Sequence, residues 1–94
     1  MDIAFDPAKD AINREKHGVS LGFGERVFDD PGSVVVPTIR FDDGERRDKA
    51  IGLVGNRLWT AVFVRRGTTI RFISVRKSNE TEIRGYHRYS GRSG

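Results

Sequence analysis

Three short turn signals divide the middle of this chain into four strand-length pieces, and that punctuation restricts the fold more than any other feature. Asp43-Gly44 is a tight hairpin signal, and Gly55-Asn56 and Arg66-Gly67 interrupt the pattern again at similar spacing. They separate residues 34–41, 46–54, 57–65 and 69–76, each carrying spaced apolar residues. Strands adjacent in sequence and joined by turns this short pair antiparallel, because a parallel connection needs a crossover of a dozen or more residues. An antiparallel meander is therefore expected. In the third piece Leu58, Trp59 and Ala61 to Val64 make a nearly continuous apolar run, which marks a central strand covered on both faces. Trp59 and Phe63 are expected in the core. Pro37 cannot donate to a ladder, so its strand belongs at an edge or beside a bulge.

Helical signals flank the meander. Residues 2–5 read as a short strand leading to Asp6-Pro7, an N-cap residue followed by the residue favoured at the first helical position. Ala8, Ala11 and Ile12 recur at helical spacing and are expected to share one apolar face. Lys16 and His17 fall in the last turn, and Gly18 supplies the stop. A second helix is expected near 21–28, capped by Ser20 and ended by Asp30-Pro31-Gly32, with Leu21, Val27 and Phe28 as its apolar contacts. Gly22 and Gly24 each cost about 1 kcal/mol relative to Ala in a helix interior, so tertiary packing has to support it. A last helix begins at Asn79, with Asn79 and Glu82 at capping-box spacing and Ile83 and Tyr86 on one side. The fold class read from this pattern is α+β: a small antiparallel β-sheet meander with two N-terminal helices and one C-terminal helix. A single domain over 1–89 and a flexible tail at 90–94 are expected.

Charge divides sharply along the 94 residues. Residues 1–56 hold eight Lys and Arg against eleven Asp and Glu, whereas residues 57–94 hold nine against two. The first portion is net −3 and the second +7, the footprint of a phosphate-binding surface or of a basic face that receives an acidic protein. There is no cysteine, which removes disulfides, thiolate metal sites and thiol nucleophiles together. The N-terminus lacks a basic segment followed by an apolar one, and no apolar run approaches a membrane span. A soluble cytosolic protein is expected, with no membrane contact.

No Gly-rich phosphate loop precedes a helix, and His17 and His87 stand far apart with no carboxylate at metal-ligand spacing. No cofactor and no metal are expected. What remains is a cationic and aromatic set: Lys16, His17, Arg47, Arg76, Lys77 and Tyr86. RNA can be cut without a metal when a base removes the 2′-hydroxyl proton, cations neutralise the phosphoryl oxygens and an acid protonates the departing 5′-oxygen. Each residue also has a plainer use. Lys16 and His17 favour a helix dipole at its C-terminal end, Arg47 can pair with Glu45, Glu82 reads as a cap rather than a base, and Tyr86 can pack in the core. Arg76 and Lys77 are either simply a solvated strand end or, just before a helix N-terminus where backbone N–H groups already favour an anion, a phosphate seat.

Five motifs in order resemble a known family. They are Phe5-Asp6-Pro7; Asn13-Arg14-Glu15-Lys16-His17-Gly18-Val19-Ser20; Val27-Phe28-Asp29-Asp30-Pro31; Glu45, Arg47, Ile51 and Gly52; and Arg71-Phe72-Ile73-Ser74-Val75-Arg76-Lys77 followed by Glu82 and Tyr86. The chain thereby resembles the BrnT toxins, and through them the RelE-like ribonuclease toxins. The resemblance implies a metal-independent endoribonuclease that inhibits translation and is neutralised by a cognate BrnA-like antitoxin. RNA is then the substrate, and DNA operator contact comes only through the antitoxin. It also implies that Lys16, His17, Arg47, Arg76, Lys77 and Tyr86 carry the site. Phe5 stands where Trp is usual, Gly22 and Gly24 where Glu and Ala are expected, and Ile83 where an Arg would add a cation near the site. A non-catalytic RNA- or DNA-binding module and a plain protein-interaction domain remain the rival readings of the same basic surface.

Overall fold

The computed structural model describes residues 1–42 and 45–90, with the side chains of 39–42 and 45 left out. The expected Asp43-Gly44 turn, the Glu45 carboxylate and residues 91–94 of the expected tail lie outside the described residues. In chain order the elements are β1 (Asp2–Ala4), α1 (Pro7–His17), a 3-10 turn (Leu21–Phe23), α2 (Gly24–Phe28), β2 (Val34–Asp42), β3 (Glu45–Val54), β4 (Arg57–Arg66), β5 (Thr69–Lys77) and α3 (Glu80–Tyr89).

One five-stranded sheet has the order β1-β5-β4-β3-β2. β2 to β5 pair antiparallel, each with its neighbour in sequence. β1 corrects the expectation of a purely antiparallel sheet: it lies parallel to β5, from Asp2↔Thr69 to Ala4↔Arg71. The long stretch between the two strands makes that parallel addition possible. β4 is central, as its apolar run implied. Both expectations for Pro37 hold, since β2 is an edge strand and its register shifts between Pro37 and Phe41.

Strand alternation sends successive side chains to opposite faces. Ala50, Ala61, Phe63, Phe72 and Val75 join Leu21 and Val27 in one buried cluster, with Phe5, Phe23, Phe28 and Trp59 packed against it. Trp59 is half-buried there, its ring edge-on to Phe23 at 4.8 Å between centroids. Ile51 and Leu58 join Tyr86 of α3 in a second cluster, flanked by Ile83. The N-terminal helical segment thus covers one face of the sheet and α3 the other.

The caps of α1 are those expected: the Asp6 carboxylate accepts from the Ala8 N–H, and Gly18 closes the helix at φ 78°. Its inward face is not. Ala8, Ala11 and Ile12 are exposed, Ile12 at 62%, and the buried residue of α1 is Asn13. The helix docks through a polar amide, for a reason that emerges at the end of β5.

The second helix also differs from expectation. Ser20 makes no side-chain cap; its carbonyl accepts the Phe23 N–H in a 3-10 turn before the five residues of α2. Gly24 explains its own presence. A Cβ there would lie 2.6 Å from the ring of Phe72, which is fully buried. Helix propensity alone assigns Gly24→Ala a gain of about 1 kcal/mol. The packing reverses the sign, and a net loss of about 1–3 kcal/mol is expected, as for overpacked cores. Urea unfolding of the variant measures it; a stabilised Gly24→Ala protein would show that the ring yields.

Candidate functional site

β1 is too short to cover the whole edge of β5. Beyond Arg71 the outward backbone groups of β5 have no strand partner, and a buried N–H or C=O left so is costly. Asn13 fills the gap at Val75: its Nδ2 donates to the Val75 carbonyl at 2.9 Å, and its Oδ1 accepts the Val75 N–H at 3.1 Å. The same Nδ2 donates to the Val19 carbonyl at 2.9 Å. One amide therefore ties the last turn of α1 to the end of β5.

Lys16 and His17 lie three and four residues after Asn13, on the neighbouring turn. That linkage brings them to Arg76 and Lys77, and the four side chains line one pocket of about 410 Å³. Burial lowers the imidazole pKa of His17, and the charges of Lys16 and Arg76 lower it further. Lysine and arginine cations thus surround a histidine that is held neutral at neutral pH. Such a group stands in its base form, available to take a proton, although it is a weaker base than a free imidazole.

Arg76 is aimed by Glu82. Its Nη1 donates to Glu82 Oε1 at 2.7 Å and its Nη2 to Oε2 at 2.8 Å, a bidentate pair. Oε1 also accepts from the Thr60 hydroxyl at 3.0 Å and from the Asn79 N–H at 2.9 Å, while Oε2 accepts from Lys49 Nζ at 3.0 Å. The Glu82 N–H in turn donates to Asn79 Oδ1, completing the capping box. The carboxylate is 2% exposed. Burial by itself pushes its pKa up, but Arg76, the Asn79 N–H and Lys49 outweigh burial and hold it at about 2. The same partnership raises the pKa of Arg76. Glu82 is thus a cap, as expected, and also a fixed anion that sequence reasoning missed.

Arg47 and Tyr86 are not brought to this pocket. Tyr86 is buried, and its hydroxyl donates to Asp30 Oδ2 at 2.6 Å. Asp30 also accepts the Gly32 and Leu53 N–H groups at 2.8 and 2.7 Å, so it joins the end of α2, β3 and α3. Arg47 is half-buried in β3, two residues before Lys49. The basic half of the chain is not one patch either. Arg65, Arg66 and Arg71 lie toward the β4–β5 turn, whereas Arg76 and Lys77 end a strand roughly 25 Å long. A second cleft of about 420 Å³, lined by Val35, Pro37, Arg46, Asp48, Val64 and Arg65, has mixed charge. There Asp48 pairs with Arg46 at 3.3 Å and Arg65 at 3.9 Å, which leaves it less suited to an anion.

Among the described residues no helix is long and apolar enough to cross a membrane, and no three His, Cys, Asp or Glu side chains are grouped to hold a metal ion. Fold and site together define a small α+β protein with a cationic pocket where a helix end meets a strand end. The chain belongs to the BrnT family, the ribonuclease toxins of type II toxin–antitoxin systems, whose profile matches residues 5–82. The family makes RNA the target class and an antitoxin the partner class. The match includes all four residues of the pocket and reaches Glu82, while Tyr86 lies beyond it. No curated protein matches the chain.

The Glu82 network has a pH signature. A carboxylate whose folded pKa is about 2, against an ordinary 4.5, contributes stability that is complete above 4.5 and lost as pH falls toward 2. That difference is worth about 3 kcal/mol. Glu82→Gln is expected to lose about that much stability at pH 7 and much less at pH 2. Urea unfolding at the two pH values measures both losses, and equal losses would refute the fixed-anion assignment.

Proposed function

We propose that this chain is an endoribonuclease toxin that cuts RNA at the pocket of Lys16, His17, Arg76 and Lys77. The observation that carries the reading is the convergence of these four side chains, from two elements sixty residues apart in sequence, on one cavity. Lys16, Arg76 and Lys77 receive the scissile phosphate and offset the charge that grows on its oxygens during reaction. His17, neutral at the outset, takes the proton from the 2′-hydroxyl. The 2′-oxygen then bonds to phosphorus and the bond from phosphorus to the 5′-oxygen breaks. Lys77, which lines the same pocket, gives a proton to that leaving oxygen. The products are a 2′,3′-cyclic phosphate and a free 5′-hydroxyl. Every charge the reaction requires comes from side chains, so we propose that no metal takes part.

We further read the β2–β5 meander and its C-terminal helix as a RelE-like arrangement, acting in the cytosol to stop translation. A BrnA-like antitoxin would neutralise the chain by covering part of its basic surface, and operator DNA would be reached through that antitoxin.

The purified chain is expected to cut RNA in excess EDTA and leave cyclic phosphate ends. His17→Ala should lower kcat by about 10²–10⁴, the usual weight of a general base. Because burial and the neighbouring cations lower the pKa of His17, kcat/KM should rise with pH through a midpoint below 6.5. Activity abolished by EDTA and restored by magnesium, or an undiminished His17→Ala enzyme, would overturn the proposed chemistry.

A further inference from the structure

Beside the cationic pocket lies a second, smaller one of about 150 Å³, lined by Lys9, Ile12, Asn13, Lys16, His17, Ile73 and Ser74. The two cavities share Lys16 and His17. We propose that this smaller cavity is a nucleobase subsite, which holds the base of the nucleotide whose phosphate sits among Lys16, His17, Arg76 and Lys77. The inference rests on the phosphate assignment above and adds what the neighbouring surface recognises.

Two features of the walls support it. Ile12 is an apolar side chain left 62% exposed on α1, at a position whose helical spacing reads as core. Ile73 sits at a break in the ladder. β4 and β5 are in register at Val62↔Ser74 and again at Phe63↔Phe72, so Ile73 is the extra residue of a β-bulge. A bulge re-aims a side chain out of the regular alternation, and such irregularities favour functional sites. The two isoleucines present apolar surface suited to the flat face of a base.

The polar lining is consistent with one ligand edge. The amide of Asn13 is spent on Val19 and Val75, so it offers nothing to a ligand. Lys9 supplies donors, and Ser74 a hydroxyl that both donates and accepts. Neither makes a side-chain hydrogen bond to another described residue. A base entering between the isoleucines meets donors at its edge and cations beside its own phosphate.

Binding of an uncleavable 2′-O-methyl RNA trinucleotide, compared with the same trinucleotide lacking its central base, tests this. Ile12 is exposed, so Ile12→Ser is expected to fold with an unchanged melting temperature; Ile73→Ser serves as the second variant. Each variant should bind the base-bearing ligand about fivefold more weakly than the wild type. Each should bind the abasic ligand within twofold of the wild type. Equal losses on both ligands, or none on either, would overturn the subsite. So would an Ile12→Ser protein that binds both ligands normally but binds the antitoxin more weakly, because the surface would then belong to protein docking. Wild-type protein that discriminates the two ligands yet cuts no RNA would refute the cleavage reaction and leave the subsite standing.

Discussion

A single buried carboxylate holds together the end of this molecule that carries the cationic pocket. Glu82 accepts five hydrogen bonds, from Arg76 twice and from Thr60, Lys49 and Asn79, and so joins β5, β4, β3 and the start of α3. Buried ion pairs add little net stability over an apolar equivalent, but removing one partner leaves the other charges uncompensated. The gain is in geometry. Arg76 cannot swing into solvent while both of its terminal nitrogens are held, so its charge stays beside Lys16, His17 and Lys77. Four cationic or titratable groups packed without this anion would repel one another. With it, they form a pocket that keeps a positive balance and a fixed shape.

The polar clamp at Asn13 does on the other side what Glu82 does on this one. A three-residue β1 leaves the end of β5 without a strand partner, and the amide supplies the missing donor and acceptor. The fold therefore anchors α1 by hydrogen bonds rather than by an apolar stripe. That choice leaves Ile12 on the surface next to the pocket. The position of Lys16 and His17 and the availability of an apolar wall thus follow from the same local shortage of sheet.

Local chemistry was legible in the sequence, and long-range partnership was not. Asp6-Pro7, Gly18 and the Asn79–Glu82 spacing marked helix ends correctly, because caps are decided within a few residues. The turn at Gly55-Asn56, the one read at Arg66-Gly67 that falls one residue later at Gly67-Thr68, and the apolar run of β4 gave the meander and its centre. Helical periodicity misplaced the face of α1, since spacing cannot reveal that a buried Asn replaces the expected apolar contact. The capping role of Glu82 was visible, but its partners Lys49 and Thr60 lie 33 and 22 residues away, beyond any local rule. Likewise Asp30 read as the end of a helix, while its bond to Tyr86 spans 56 residues. Four of the six residues singled out for chemistry do converge. Arg47 and Tyr86 do not line that pocket, because a basic or aromatic residue type says nothing of which distant neighbours its side chain will meet.

On the proposed function, His17 sits in a pocket of fixed positive charge that receives a phosphodiester. An NMR titration of the His17 imidazole, free and then saturated with an uncleavable 2′-O-methyl RNA trinucleotide, addresses it directly. In the free protein the pKa should lie below its ordinary 6.5, held down by burial and by Lys16 and Arg76. A bound phosphate offsets those cations, so the pKa should rise on saturation. A free value at or above 6.5, or one that does not move when the RNA binds, would contradict the account.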